Sequence, residues 1–146
     1  MAAYPTLTAL LKKTPYTRAT LPISCVFCKQ LLTVKDKELF VYKKLKLVIR
    51  DSEHYAACDQ CIIASAKLDA AKYTQCTIEG DGVMLIARKS LDQLHMRCVN
   101  CAKYLSNNEK LECVVFKIPF HLIRNDWRGL CRNCLLVHHE RGGGYY

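Results

Sequence analysis

Four Cys-x-x-Cys pairs, at Cys25/Cys28, Cys58/Cys61, Cys98/Cys101 and Cys131/Cys134, constrain this chain more than any other feature. The gap between the first two pairs equals the gap between the last two, 29 residues each. Two thiolates separated by two residues let one tight backbone knuckle offer both sulfurs to one metal, and two knuckles close a tetrahedral shell around zinc. Four pairs therefore give two closed shells and two structural zinc ions per chain, with cysteine as every ligand. Neither shell needs His54, His95, His121, His138 or His139. No His-Glu-x-x-His array, phosphate-cradling glycine loop or nucleophile elbow is present, so the chain is expected not to be an enzyme. Cys76 and Cys113, left over, are expected to be small apolar filler.

The cysteine units divide the 146 residues into two parts of about 50 residues, a size at which an apolar core alone is marginal. Zinc binding coupled to folding, at roughly 10–16 kcal/mol apparent, supplies the missing stability. Met1 to Tyr16 holds no basic segment followed by an apolar one, and no run approaches the length of a membrane span. The protein is expected to be soluble and intracellular, where thiols stay reduced and available to metal. The formal net charge of +9 favours acidic partners, nucleic acid or acidic peptide.

Sliding the chain by 73 residues superposes the two cysteine units and aligns Val26 with Val99, Leu32 with Leu105, Lys37 with Lys110, Val41 with Val114, Lys44 with Lys117 and Leu45 with Ile118. This is the mark of an internal duplication. Leu39–Tyr42 and Leu45–Ile49 in the first unit, and Leu111–Ile118 ended by Pro119 in the second, are runs of branched and aromatic residues that predict short strands. Leu7, Leu10 and Leu11 after Pro5 predict a short helix, and Ile62–Tyr73 a longer one. Gly80-Asp81-Gly82 predicts a turn and Val83–Met96 a further helix. The expected fold is α+β, with two homologous small zinc domains, each a short antiparallel sheet plus helices, joined by a helical linker. Residues 1–66 form the first domain, 67–93 the linker, 94–139 the second domain and 140–146 a disordered tail.

The full spacing, two Cys-x2-Cys-x29-Cys-x2-Cys units separated by 36 residues, closely resembles papillomavirus early protein six, the viral oncoprotein family. Local strings agree as well: Val48-Ile49-Arg50-Asp51, Tyr55 to Cys61, Met96 to Cys101, Ile123-Arg124 and Trp127 to Cys131. The resemblance implies a non-enzymatic viral adaptor of the host cytoplasm and nucleus. It would capture acidic Leu-x-x-Leu-Leu helices of host proteins in a groove walled by the two zinc domains and the helix joining them. The partners it implies are the early-protein-six-associated ubiquitin ligase, Mastermind-like Notch coactivators or paxillin. Carried over position by position, the apolar lining is Phe27, Phe40, Leu45, Val48, Ala57, Ile62, Ser65 and Leu68, and the basic rim is Arg50, Lys72, Arg97 and Arg124.

The chain departs from several relatives at Asp126 and Ala102 on the rim and at Ser65, where a larger aromatic is usual. It ends Gly144-Tyr145-Tyr146, so no PDZ partner is implied. A zinc-dependent nucleic-acid-binding regulator is the alternative reading of the charge and the tandem zincs. It lacks the spacing of a two-cysteine, two-histidine finger and a basic stripe with interleaved aromatics.

Overall fold

A computed structural model describes residues 5–140, with side chains through 137. Of the tail expected at 140–146, Glu140 is the last residue of a helix, and 141–146 lie outside the described residues. The chain forms two compact units, 1–64 and 65–146.

In the first unit α1 (Leu7–Leu11) is followed by α2 (Val34–Tyr42) and a hairpin of β1 (Val48–Arg50) and β2 (Glu53–Tyr55). The strand expected at Leu39–Tyr42 is therefore the end of a helix, and of Leu45–Ile49 only Val48 and Ile49 lie in a strand, with Lys46 making a single bridge to Thr6. Two local devices override the strand propensity of these residues. Thr33 and Asp36 form a reciprocal capping box at the N-terminus, satisfying two amides that would otherwise lack partners. At the other end Lys44 adopts a left-handed φ of 56°, Leu45 N donates to Phe40 O at 3.3 Å and Lys44 N to Val41 O at 3.0 Å, the bonding of a Schellman stop.

α3 (Asp59–Tyr73) continues from the last knuckle of the first unit, and the second unit adds β3 (Thr74–Ile78), α4 (Gly80–Ala87), a 3-10 turn at Leu91–Gln93 and β4 (Arg97–Cys98). Then come α5 (Asn107–Val115), β5 (Phe120–Ile123), β6 (Asp126–Gly129) and α6 (Arg132–Glu140). The four strands run in the order β3-β5-β6-β4, antiparallel except for β4 beside β6. Three expectations change here. Leu111–Ile118 is mainly α5, begun by a Ser106/Glu109 capping box and stopped at left-handed Lys117. Gly80-Asp81-Gly82 is the first turn of α4, which ends at left-handed Arg88 instead of running on to Met96. The segment 67–93 is not wholly helical, because β3 lies within it and pairs with β5.

The duplication is visible element by element. Residues 34–42 are helical and so are 107–115, 73 positions on. The single bridge Cys25↔Ala56 corresponds to Cys98↔Gly129 of the β4–β6 pair. Left-handed residues recur in register as Lys29/Ala102, Lys44/Lys117, Asp51/Arg124 and Ser52/Asn125. The last two pairs make two-residue hairpin loops with both central residues at positive φ, the primed turn that matches strand twist.

Phe120, Ile123, Leu130, Leu105, Val83 and Cys113 are almost wholly buried at the centre of the second unit's core. Gly129 admits this packing. A Cβ there would lie 2.9 Å from Phe120 Cε1 and 3.0 Å from Leu105 Cδ1. In the first unit Leu7, Leu47, Phe40, Ile23 and Ala56 are the corresponding buried residues.

Candidate metal centres

The first knuckle of each unit is a tight reversal. Cys25 N donates to Gln30 O at 2.8 Å and Lys29 N to Cys25 O at 3.0 Å; Cys98 N donates to Lys103 O at 2.8 Å and Ala102 N to Cys98 O at 3.0 Å. The chain closes this loop through a left-handed residue, Lys29 or Ala102. The second knuckle opens a helix: Cys58 and Cys131 immediately precede α3 and α6, and their carbonyls accept from Ile62 N at 3.0 Å and Leu135 N at 2.9 Å. A helix N-terminus carries partial positive charge that favours thiolates. Val26 N to Ala56 O at 2.9 Å and Val99 N to Gly129 O at 2.8 Å set one knuckle beside the other.

This scaffold gathers Cys25, Cys28, Cys58 and Cys61 in one unit and Cys98, Cys101, Cys131 and Cys134 in the other, with the sulfurs of each set within 4.8 Å of one another. Cys28 and Cys58 Sγ are 3.9 Å apart, Cys101 and Cys131 Sγ 3.6 Å. A tetrahedron with arms of 2.3 Å has edges of about 3.8 Å, so the donor set fits zinc in number, chemistry and spacing. The ten cysteines are all free thiols. Ionisation within the clusters is uneven. Burial opposes it at Cys25, but the amides of Cys28, Cys58 and Phe27 outweigh burial and bring that thiol to about 6. Hydrogen bonding to Cys58, then burial, pushes Cys61 up to about 12. Four sulfurs this close cannot all carry charge unaided, and a divalent cation lets them do so.

The sequence model of the Early Protein (E6) family matches residues 25–134, from the first cysteine ligand to the last. The chain belongs to the Early Protein (E6) family. Protein E6 of human papillomavirus type 60 is 37% identical over 115 residues, covering 79% of this chain and 81% of the relative. Protein E6 of human papillomavirus type 26 is 36% identical over 129 residues, covering 88% and 86%. The solution structure of the C-terminal zinc-binding domain of HPV51 oncoprotein E6 aligns with 49% of this chain and 93% of its own at 32% identity and a TM-score of 0.41. With two four-cysteine sets in zinc-ligating geometry inside the matched family region, the chain carries two four-cysteine zinc centres.

The residues assigned to a peptide groove fall into different environments. Phe27, at the tip of the first knuckle, is 59% exposed, and Leu68 is 53% exposed, whereas Phe40, Ala57 and Ile62 are buried. Leu45, Val48 and Ser65 are half-buried; Arg50 and Lys72 are exposed. Arg97 is half-buried; its guanidinium donates to Ala102 O at 3.0 Å and lies 5.9 Å from the Tyr104 ring centroid. Arg124 is exposed, stacks 3.8 Å over Tyr73 and pairs with Asp69 at 3.4 Å.

Sequence reasoning missed Asp69, which also meets Arg128 at 3.5 Å, and no local motif announces it. Cys113 is fully buried and its thiol donates to Leu130 O at 3.3 Å, with burial raising its ionisation point. Cys76 is half-buried against the core. Both sit where filler was expected.

Proposed function

We propose that this chain is a non-enzymatic viral adaptor of the host cytoplasm and nucleus that captures acidic Leu-x-x-Leu-Leu helices of host proteins and so redirects ubiquitin-ligase activity or transcriptional coactivators. A ubiquitin ligase associated with early protein six, Mastermind-like coactivators and paxillin are the partners of this class. Membership of the E6 family over residues 25–134 carries the reading. Physical support comes from what each unit exposes: Phe27 and Arg50 in the first, Leu68, Lys72 and Arg124 in the second. Burying three leucines yields about 5–9 kcal/mol gross at roughly 1.5–3 each, from which helix ordering in the peptide subtracts about 2–5 kcal/mol. Moderate affinity results, and the cations act on acidic flanks mainly through encounter rate and specificity.

Fluorescence anisotropy with a labelled acidic Leu-x-x-Leu-Leu peptide tests this. Zinc-loaded wild type should bind, the same peptide with its three leucines changed to alanine should not, and Arg97→Glu and Arg124→Glu should each weaken binding at least fivefold. Equal binding of both peptides, or undiminished binding by both variants, would overturn the reading. Binding to duplex DNA that collapses between low and moderate salt would instead favour the nucleic-acid alternative.

A further inference from the structure

We propose that two adjacent acid–lysine pairs, Asp36–Lys37 on α2 and Glu109–Lys110 on α5, are positioning residues for zinc: each pair holds, from one helix, both knuckle-bearing segments of its own four-cysteine shell.

The lysines take the segment that approaches the first knuckle. Lys37 Nζ donates to Leu21 O at 2.9 Å and Ala19 O at 3.2 Å. Lys110 Nζ donates to Leu94 O at 2.5 Å and Leu91 O at 3.0 Å, and to Asn107 Oδ1 at 3.3 Å. Beyond these clamped carbonyls the chain is fixed once more, by Leu32 N to Ile23 O at 2.9 Å and Leu105 N to Met96 O at 3.0 Å. Two residues later it delivers Cys25 or Cys98.

The acids take the other side. Asp36 Oδ1 accepts from Asp59 N at 3.3 Å, and Glu109 Oε2 accepts from Arg132 N at 2.9 Å. Asp59 and Arg132 directly follow the third ligands, Cys58 and Cys131. Because successive residues on a helix point in different directions, an adjacent acid and base reach two different segments from a single backbone.

Lys37 and Lys110 are each only 3% exposed and Glu109 5%. Full burial of a lysine is costly and uncommon, and here it occurs twice in register. Apart from Asn107 Oδ1, the acceptors named for the two lysines are backbone carbonyls, so the buried charge fixes chain position. Holding two ligand segments together before metal arrives reduces the ordering that zinc must impose and slows the separation of the shell once zinc is bound.

The test is zinc transfer from the full chain to a chromophoric chelator, 4-(2-pyridylazo)resorcinol, at neutral pH, where two ions should leave in two phases. Lys37→Met and Asp36→Asn should accelerate one phase about tenfold, and Lys110→Met and Glu109→Gln the other, each leaving the remaining phase unchanged. Glu109→Asp should restore most of the retention, since the first unit itself uses aspartate. Leu111→Gly serves as the control, because that exposed residue of α5 loosens the helix without removing a clamp bond. Where a methionine variant does not fold, Glu109→Gln, which keeps the side chain's shape, decides. Wild-type release rates in the clamp variants would overturn the proposal. So would equally fast release from Leu111→Gly at a matched loss of thermal midpoint, since helix stability alone would then account for retention.

Discussion

The two zinc units share their cysteine spacing, the boundaries of their central helices α2 and α5 and their turns, yet they shield the metal differently. In the first, Cys25 is buried, Cys58 and Cys61 are half-buried and Cys28 is exposed; in the second, Cys98 and Cys131 are buried and Cys101 and Cys134 half-buried. The difference lies in what surrounds the shell. Cys98 and Cys131 belong to a continuous core with Phe120, Trp127 and Leu135, which Cys101 and Cys134 pack against, and the four-stranded sheet ties that core together. The first unit's sheet has two strands, and its knuckle tip carries Phe27 outward. One scaffold therefore yields a guarded centre and a more open one, through changes that leave the ligands untouched.

Removing zinc is the severest way to probe this contrast. Excess chelator should abolish the cooperative structure of both units, consistent with the roughly 10–16 kcal/mol that couples such sites to folding. The ion at Cys28's site should leave several times faster than its counterpart, as read by chelator absorbance. Equal rates for the two ions would mean that ligand exposure does not govern release.

A step down in size, Phe120→Ala should cost about 3–5 kcal/mol and its counterpart Leu47→Ala about 2–5 kcal/mol. Both side chains are at most 1% exposed. Thermal unfolding of the zinc-loaded chain would show whether the larger core of the second unit suffers more. Smaller still, Thr33→Ala and Ser106→Ala should each cost about 0.5–2 kcal/mol, and similar losses would show that the capping boxes remain equivalent across the duplication.

The smallest expected effect is the pH dependence that His121 contributes, and it belongs to the second unit. Burial lowers the His121 ionisation point below its ordinary 6.5, so the folded unit favours the neutral ring, which bonds Thr77 Oγ1 through Nδ1 at 2.9 Å. Below the ordinary value the unfolded chain takes up a proton that the folded one refuses, and stability falls as pH drops. Between pH 7 and 6 the second unit's thermal midpoint should decline, and His121→Gln should flatten that decline. The first unit has Val48 at the equivalent position, so its midpoint should not respond to His121→Gln.

What could be read from sequence depended on whether the signal was local. The zinc ligands were legible because a knuckle needs two sulfurs at fixed separation, and the duplication because Lys37 and Lys110, among others, align at a constant offset. The central helices were not. Phe40 and Val41, and Val114 and Val115, carry strand propensity, and the stops at Lys44 and Lys117 lack the glycine that usually marks a left-handed cap. The capping boxes were present as Thr33-x-x-Asp36 and Ser106-x-x-Glu109 and would have corrected the reading. Both hairpin turns were hidden for a similar reason, since Asp51-Ser52 and Arg124-Asn125 stand where Asn-Gly is the usual sign. The Asp69 pairs with Arg124 and Arg128 span more than fifty residues, and no spacing rule reaches that far.

The left-handed residues repeated in register set a limit on how such a sequence can drift. Branched side chains are poorly tolerated at positive φ, so valine and isoleucine are shut out at positions 29, 44, 51 and 52 and again at 102, 117, 124 and 125. Glycine is welcome at all eight. Exposed side chains elsewhere in the two halves are free to diverge toward different surfaces, while these positions keep a shared punctuation. The common origin of the halves is therefore preserved in which residues are forbidden, even where it has been lost from those present.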